Sequence, residues 1–147
     1  MFSGLRPAAR LIAAMLLVAL AGCATPPGGA RATLYERMGG MPVINQVVNE
    51  TIDAVLADPK TRRSFKDIKI PPLKENITKQ VCVLAGGPCK YDGAVMRKAH
   101  KGLEITDSEF DLMVAALRES LDRHVGEREK NELLRLLAPM KRDVVGV

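Results

Sequence analysis

From Thr33 to the C-terminus the apolar residues recur every three or four positions, the spacing of a helix that buries one face. Val43, Val47, Thr51 and Val55, with Ile44, Val48 and Ile52 beside them, form a wide stripe that predicts a helix from Pro42 to about Leu56. Asp58-Pro59 ends it, because a residue before proline is driven out of the helical region. Leu73, Ile77, Gln80, Val81 and Leu84 predict a second long helix. Pro71-Pro72 fits its first turn, where proline is tolerated, and Gly86-Gly87-Pro88 stops it. A third helix runs on Phe110, Met113, Val114, Leu117 and Leu121, opened by the capping-box pattern Thr106-Asp107-Ser108-Glu109. Gly126 interrupts, and Leu133, Leu134, Leu136, Leu137 and Met140 predict the fourth. Two shorter helices are expected at TLYERMGG, stopped by Gly39-Gly40, and within AVMRKAHKGLEIT, ending near Gly102. Lys60 to Lys69 is irregular, with Phe65 its only large apolar anchor. No stretch alternates with period two for long enough to make a strand, so the fold class is all-α.

One position interrupts this apolar pattern. The chain has two histidines, and His100 falls in line with Val95, Met96, Ala99 and Leu103, in mid-helix on a face that the spacing turns inward. Lys98 and Lys101 face the other way. An inward imidazole is either a core histidine with a satisfied hydrogen bond or a ligand to something buried. One histidine does not build a zinc site, which takes three or four protein ligands, but it suffices as the single protein ligand of a haem iron. His124 has a simpler expectation. It closes its helix, where a donor meets free carbonyls and the negative end of the dipole.

Composition changes the picture at the N-terminus. Residues 1–22 read as a signal peptide, with Arg6 and Arg10 followed by the apolar run Leu11 to Leu20, which is too short for a bilayer that needs roughly 20 residues. Leu20-Ala21-Gly22-Cys23 resembles the bacterial lipobox, in which Cys23 is acylated and becomes the first residue. Ala24 after it favours the outer membrane, so a lipid-anchored protein on the periplasmic side of the cell envelope is expected. Ordinary secretion is the alternative. Residues 23–32 form a flexible tether around Pro26, Pro27, Gly28 and Gly29, and residues 33–147 form one domain. Without the leader the formal charge falls from +5 to +3. With no Trp, two Tyr and three Phe, there is no basic stripe with interleaved aromatics, which excludes a nucleic-acid partner. If Cys23 carries lipid, Cys82 and Cys89 are the remaining two of three cysteines. In an oxidising compartment they are expected to pair across the Gly86-Gly87-Pro88 turn, closing a loop of about eight residues and adding about 2–3 kcal/mol. Two separate thiols, with Cys82 packed, are the other reading. There is no G-x-S-x-G, no nucleophile with a base and an orienter, and no phosphate loop.

LYERMGG, VLADP, Phe65, AGGPCKYDG, MRKAHKGLEIT with Phe110, and LLAPMKRDVV occur in this order. Together they resemble group I truncated haemoglobins, over about residues 33 to 145. The resemblance implies a two-over-two helical sandwich around non-covalent haem b, with O2, NO or CO as ligands and a reductase as an expected partner. It makes His100 the proximal iron ligand, whose second ring nitrogen should donate to a backbone carbonyl. Phe65 matches the phenylalanine that packs on the haem, and Gly39, Gly40, Gly86 and Gly87 match turn glycines. Met96, Ile105, Phe110 and Met113 fall where family members line the pocket.

The distal side departs from the family. Ile52 stands where many members have a tyrosine, and Ile77 where they have a glutamine. Leu73 sits at the gate, Gln80 where an aromatic is common, and Asn76 donates only if it turns inward. The pocket so read is nearly apolar. Losing a hydrogen bond worth about 1.5–3 kcal/mol would weaken O2 relative to CO by roughly ten- to a hundred-fold. Reversible gas binding is the leading expectation. NO oxidation, known in the family, is put in doubt by the missing pair. A redox or gas-sensing haem protein is a second reading, with Lys79 or a mobile Met as candidates for a second iron ligand. A haem-free interaction domain with this fold is a third.

Overall fold

The computed structural model describes residues 31–147, so Cys23 and the predicted leader lie outside it. Among the described residues there are six α-helices and two 3-10 helices. The first, α1 (Leu34–Arg37), is one turn held by a capping box, in which the Thr33 hydroxyl accepts from Glu36 N–H and Glu36 reaches back to Thr33 N–H. Gly39 follows at φ 95°, and a Cβ there would sit 2.7 Å from Val43 Cγ2, so only glycine makes this corner. The next helix, α2 (Gly40–Ala57), starts two residues before the predicted Pro42, which falls in its first turn.

Helix α2 is the centre of the molecule. Ile44, Val47, Val48, Thr51, Ile52 and Val55 are buried along it, and it lies against both α3 (Ile70–Leu84) and α5 (Asp107–His124). Ile44, Ile52, Leu121 and Leu133 are almost wholly enclosed. Each such aliphatic side chain stabilises the fold by about 1.5–3 kcal/mol through burial. Asp58 ends α2 in an extended conformation before Pro59, and the buried Thr61 hydroxyl donates to Val55 O at 2.5 Å. The stretch expected to be irregular contains a 3-10 helix, Arg62–Phe65. Helix α3 starts with its two prolines in the first turn.

The fourth helix, α4 (Met96–His100), has five residues. The fifth opens with the predicted capping box of Thr106 and Glu109. The sixth, α6 (Glu127–Leu137), passes into a 3-10 helix over Ala138–Asp143, shorter than the single helix to Met140 that the leucines suggested. Pro139 has no N–H to continue the α-helical ladder. The pairs α2/α3 and α5/α6 make the two layers of a two-over-two sandwich. Among the described residues the nearest thing to a strand is one isolated parallel bridge between Ile105 and Val145.

Long-range ion pairs fasten the helices. Arg37 on α1 bonds Glu129 and Glu132 on α6. Glu50 on α2 accepts from Ser120 at 2.8 Å, from Arg123 at 2.8 Å and from His124 at 2.8 Å, all on α5. Arg123, then His124, then Ser120 hold the Glu50 carboxyl at about 2. His124 thus ends its helix as expected, but its partner is a carboxylate from another helix rather than free carbonyls. The buried Lys130 ammonium sits between Asp122 and Glu127.

Candidate functional site

His100 is the last residue of α4, not a mid-helix residue. The inward stripe is also shorter than the spacing implied: Val95 is 71% exposed and Ala99 is exposed, while Met96, His100 and Leu103 are half-buried. The chain does not extend α4 on either side. Upstream, Tyr91 lies against Gly93, where a Cβ would come within 2.5 Å of the ring, and its hydroxyl donates to Ala94 O at 2.8 Å. Downstream, Gly102 at φ 79° and Glu104 at φ 50° turn the backbone out of the helix.

What holds this short helix in place is mostly polar. The Arg97 guanidinium donates to Asp143 Oδ1 and to Arg142 O, each at 3.3 Å. Gly102 N–H donates to Val147 O at 2.9 Å, and Gly146 N–H to Ile105 O at 3.0 Å. The C-terminal residues therefore brace the His100 segment, a role that no local pattern signalled. Lys141 adds to this brace: it pairs with Asp107 and Asp111 and stands 5.2 Å over the Phe110 ring.

The imidazole itself is oriented. His100 Nδ1 lies 2.8 Å from Met96 O. A carbonyl only accepts, so Nδ1 carries a proton, and Nε2 has no hydrogen-bond partner among the described residues. The arrangement leaves Nε2 as the nitrogen a metal could take.

The other predicted site residues fall into two groups. Ile52 is fully enclosed in the core cluster, with Phe65, Ile77 and Met113 packed half-buried against it. Leu73, Met96, Ile105 and Phe110 are half-buried and stand outside that cluster. Asn76 is exposed and does not turn inward. Lys79 pairs with Glu75 at 2.7 Å, and the hydrogen bond to that carboxylate raises its pKa. Two surface depressions, of about 580 Å³ between α2 and α3 and about 510 Å³ beside Phe65, are not lined by His100. No cluster of three His, Cys, Asp or Glu side chains suited to a metal ion occurs among the described residues.

Two further features fix the surroundings. Cys82 and Cys89 form a disulfide with Cα atoms 6.0 Å apart, tying the end of α3 to the segment that leads to α4. Gly87 lies between them and Tyr35; a Cβ there would meet Tyr35 at 2.5 Å and Cys82 Sγ at 2.6 Å. On the other side, Glu109 is 7% exposed. Burial pushes its carboxyl up, but Thr106, Arg63 and Ser64 donate to it and hold it at about 2. That cluster joins the Phe65 segment to the start of α5, and sequence patterning revealed only its capping-box half.

A family model described as bacterial-like globin matches residues 33–145. The chain is 30% identical to a group 1 truncated haemoglobin of Mycolicibacterium paratuberculosis, over 77% of this chain and 84% of the relative. It is 29% identical to the group 1 truncated haemoglobin of Tetrahymena pyriformis, over 78% of this chain and 95% of the relative. The ferric crystal structure of the Tetrahymena pyriformis protein superposes with a TM-score of 0.74 at 28% identity, covering 79% of this chain and all of that one. The 2/2 haemoglobin of a Synechococcus species, solved in the cyanomet state with covalently attached haem, gives 0.73 at 26% identity and 79% of this chain.

Proposed function

The chain belongs to the bacterial-like globin family as a group 1 truncated haemoglobin, and we propose that His100 is the single protein ligand through which it holds iron. As a globin it binds haem b and gaseous ligands. The observation that carries the assignment to His100 is its hydrogen bond: Nδ1–H on Met96 O fixes the ring and directs the Nε2 lone pair elsewhere. The donor set fits the group. One imidazole serves as ligand, and Phe65, Leu73, Ile77, Met96, Ile105, Phe110 and Met113 are half-buried apolar side chains suited to a flat, largely apolar cofactor. Haem, when bound, would supply an iron able to take a diatomic gas.

The residues of this chain shape that position. Ile52, Leu73 and Ile77 give it aliphatic walls and no hydroxyl. O2, which gains from a donor, is therefore held less firmly relative to CO than in relatives with a tyrosine there. The reading is a reversible gas-binding protein with His100 as its one protein ligand to iron. We also propose a lipid anchor at Cys23, supported by Leu20-Ala21-Gly22-Cys23, placing the globin at the periplasmic face of the outer membrane with a reductase nearby. Loss of palmitate labelling in Cys23→Ser would support that placement, and unchanged labelling would refute it.

The ferrous absorption spectrum tests the functional reading. A five-coordinate spectrum that converts fully on adding CO is expected. A six-coordinate ferrous spectrum before CO would move the assignment to a redox or sensing role.

A further inference from the structure

Two thioethers and one amide meet where α3, α4 and the C-terminal 3-10 helix converge. Gln80 Nε2 lies 3.7 Å from Met96 Sδ and 3.8 Å from Met140 Sδ. The amide nitrogen carries two N–H groups and has one sulfur for each. Thioether sulfur is a weak acceptor, so both contacts are weak while the sulfurs are reduced. All three side chains are half-buried, within reach of a small solute.

The other methionines among the described residues are placed differently. Met38 is 2% exposed. Met41 Sδ stands 3.7 Å from Cys89 Sγ, a disulfide sulfur with no hydrogen to donate. Met113 packs against the aliphatic core. Met96 and Met140 are the two whose sulfur faces an N–H. They also belong to the segments that hold the imidazole. Met96 O accepts from His100 Nδ1, and Met140 lies in the 3-10 helix whose Arg142 and Asp143 bond Arg97.

Oxidation would change the character of this contact. Hydrogen peroxide transfers one oxygen to a thioether: a sulfur lone pair attacks, the O–O bond breaks, an S–O bond forms and water leaves. The sulfur loses two electrons and the peroxide gains them. A packed sulfoxide ordinarily disrupts its surroundings, because a new polar group is left without a partner. Here an oxygen on either sulfur comes within hydrogen-bond reach of an N–H that has no strong acceptor.

We propose that Met96 and Met140 are a site of reversible oxidation and that Gln80 is built to receive the sulfoxide. The amide exchanges a weak contact for a strong one, so α3 keeps its hold on the His100 segment when the thioethers are oxidised. The inference concerns the chain itself and does not rest on the haem-binding reading.

The test treats the full chain with hydrogen peroxide and locates sulfoxides by peptide mass spectrometry. Urea unfolding is then compared before and after treatment for wild type, Gln80→Leu and the near-isosteric Gln80→Glu, whose carboxylate does not donate. Sulfoxide is expected at Met96 or Met140, with the wild-type unfolding equilibrium constant changed less than about twofold. Each oxidised variant should unfold about tenfold more readily than its own untreated form. Methionine sulfoxide reductase should reverse that loss. If Gln80→Leu does not fold, Gln80→Glu carries the comparison. Equal destabilisation of wild type and variants overturns the proposal, as does equal tolerance in all of them. So does a treatment that oxidises Met41 or Met113 while Met96 and Met140 stay reduced.

Discussion

The α2 layer and the α4 segment are built differently. Around α2 the contacts are aliphatic and closed: Ile44, Ile52, Leu121 and Leu133 have almost no exposed surface. Around α4 the helix is a single turn, Val95 and Ala99 face solvent, and position comes from Arg97, the C-terminal backbone and the His100 to Met96 bond. The difference teaches where stability and chemistry reside. The core sets whether the chain folds, and the polar brace sets where the imidazole points. Substitutions in the two regions should therefore register in different measurements.

The largest effect on folding is expected in the core. Leu133→Ala removes a fully buried side chain and should cost about 2–5 kcal/mol in urea unfolding of the haem-free protein. A loss well under that would mean the core is looser than its burial implies. The disulfide joins the two regions, so its removal should register in both. Cys82→Ala with Cys89→Ala should cost about 2–3 kcal/mol of stability and also speed haem loss. Equal haem loss with and without the bond would sever the link between α3 and the His100 segment.

Glu109 supplies a pH-dependent contribution. Its carboxyl is held at about 2 against an ordinary 4.5, so the stability it brings is complete above about 4.5 and is lost as pH falls toward 2. Wild type should exceed Glu109→Gln in unfolding free energy at about pH 7, and the gap should narrow below about pH 4.5 and close only near pH 2. A gap that persists in acid would assign the effect to packing. The smallest stability change belongs to Arg97→Ala, under about 1 kcal/mol, because its ion pair is solvent-facing. Its effect should appear in haem loss rather than in Tm. A large fall in Tm with no change in haem loss would erase the contrast between the two regions.

Much of this was legible in the sequence, for local reasons. The apolar periods of α2, α3 and α5, the proline starts and stops, and the Thr106 capping box act within a turn or two of chain, and those elements are where the pattern put them. The His100 helix was over-read because Val95, Ala99 and Leu103 extend a period that Gly93 and Gly102 cut short. The Arg37–Glu129, Glu50–His124 and Arg97–Asp143 contacts span 92, 74 and 46 residues, and no periodicity marks partners so far apart. In the sequence Gln80 is a member of the inner period of its helix and a departure from the family. Its thioether partners come from α4 and the C-terminal 3-10 helix, so their convergence appears only once the chain is folded.

The central claim is that His100 holds the haem while the core holds the fold. The most direct test is a haemin titration of wild type and His100→Ala, following the Soret band and the helical circular dichroism together. The account predicts a Soret band in wild type that is lost in the variant, while the helical signal is kept in both. A Soret band of equal strength and saturation in His100→Ala would contradict it.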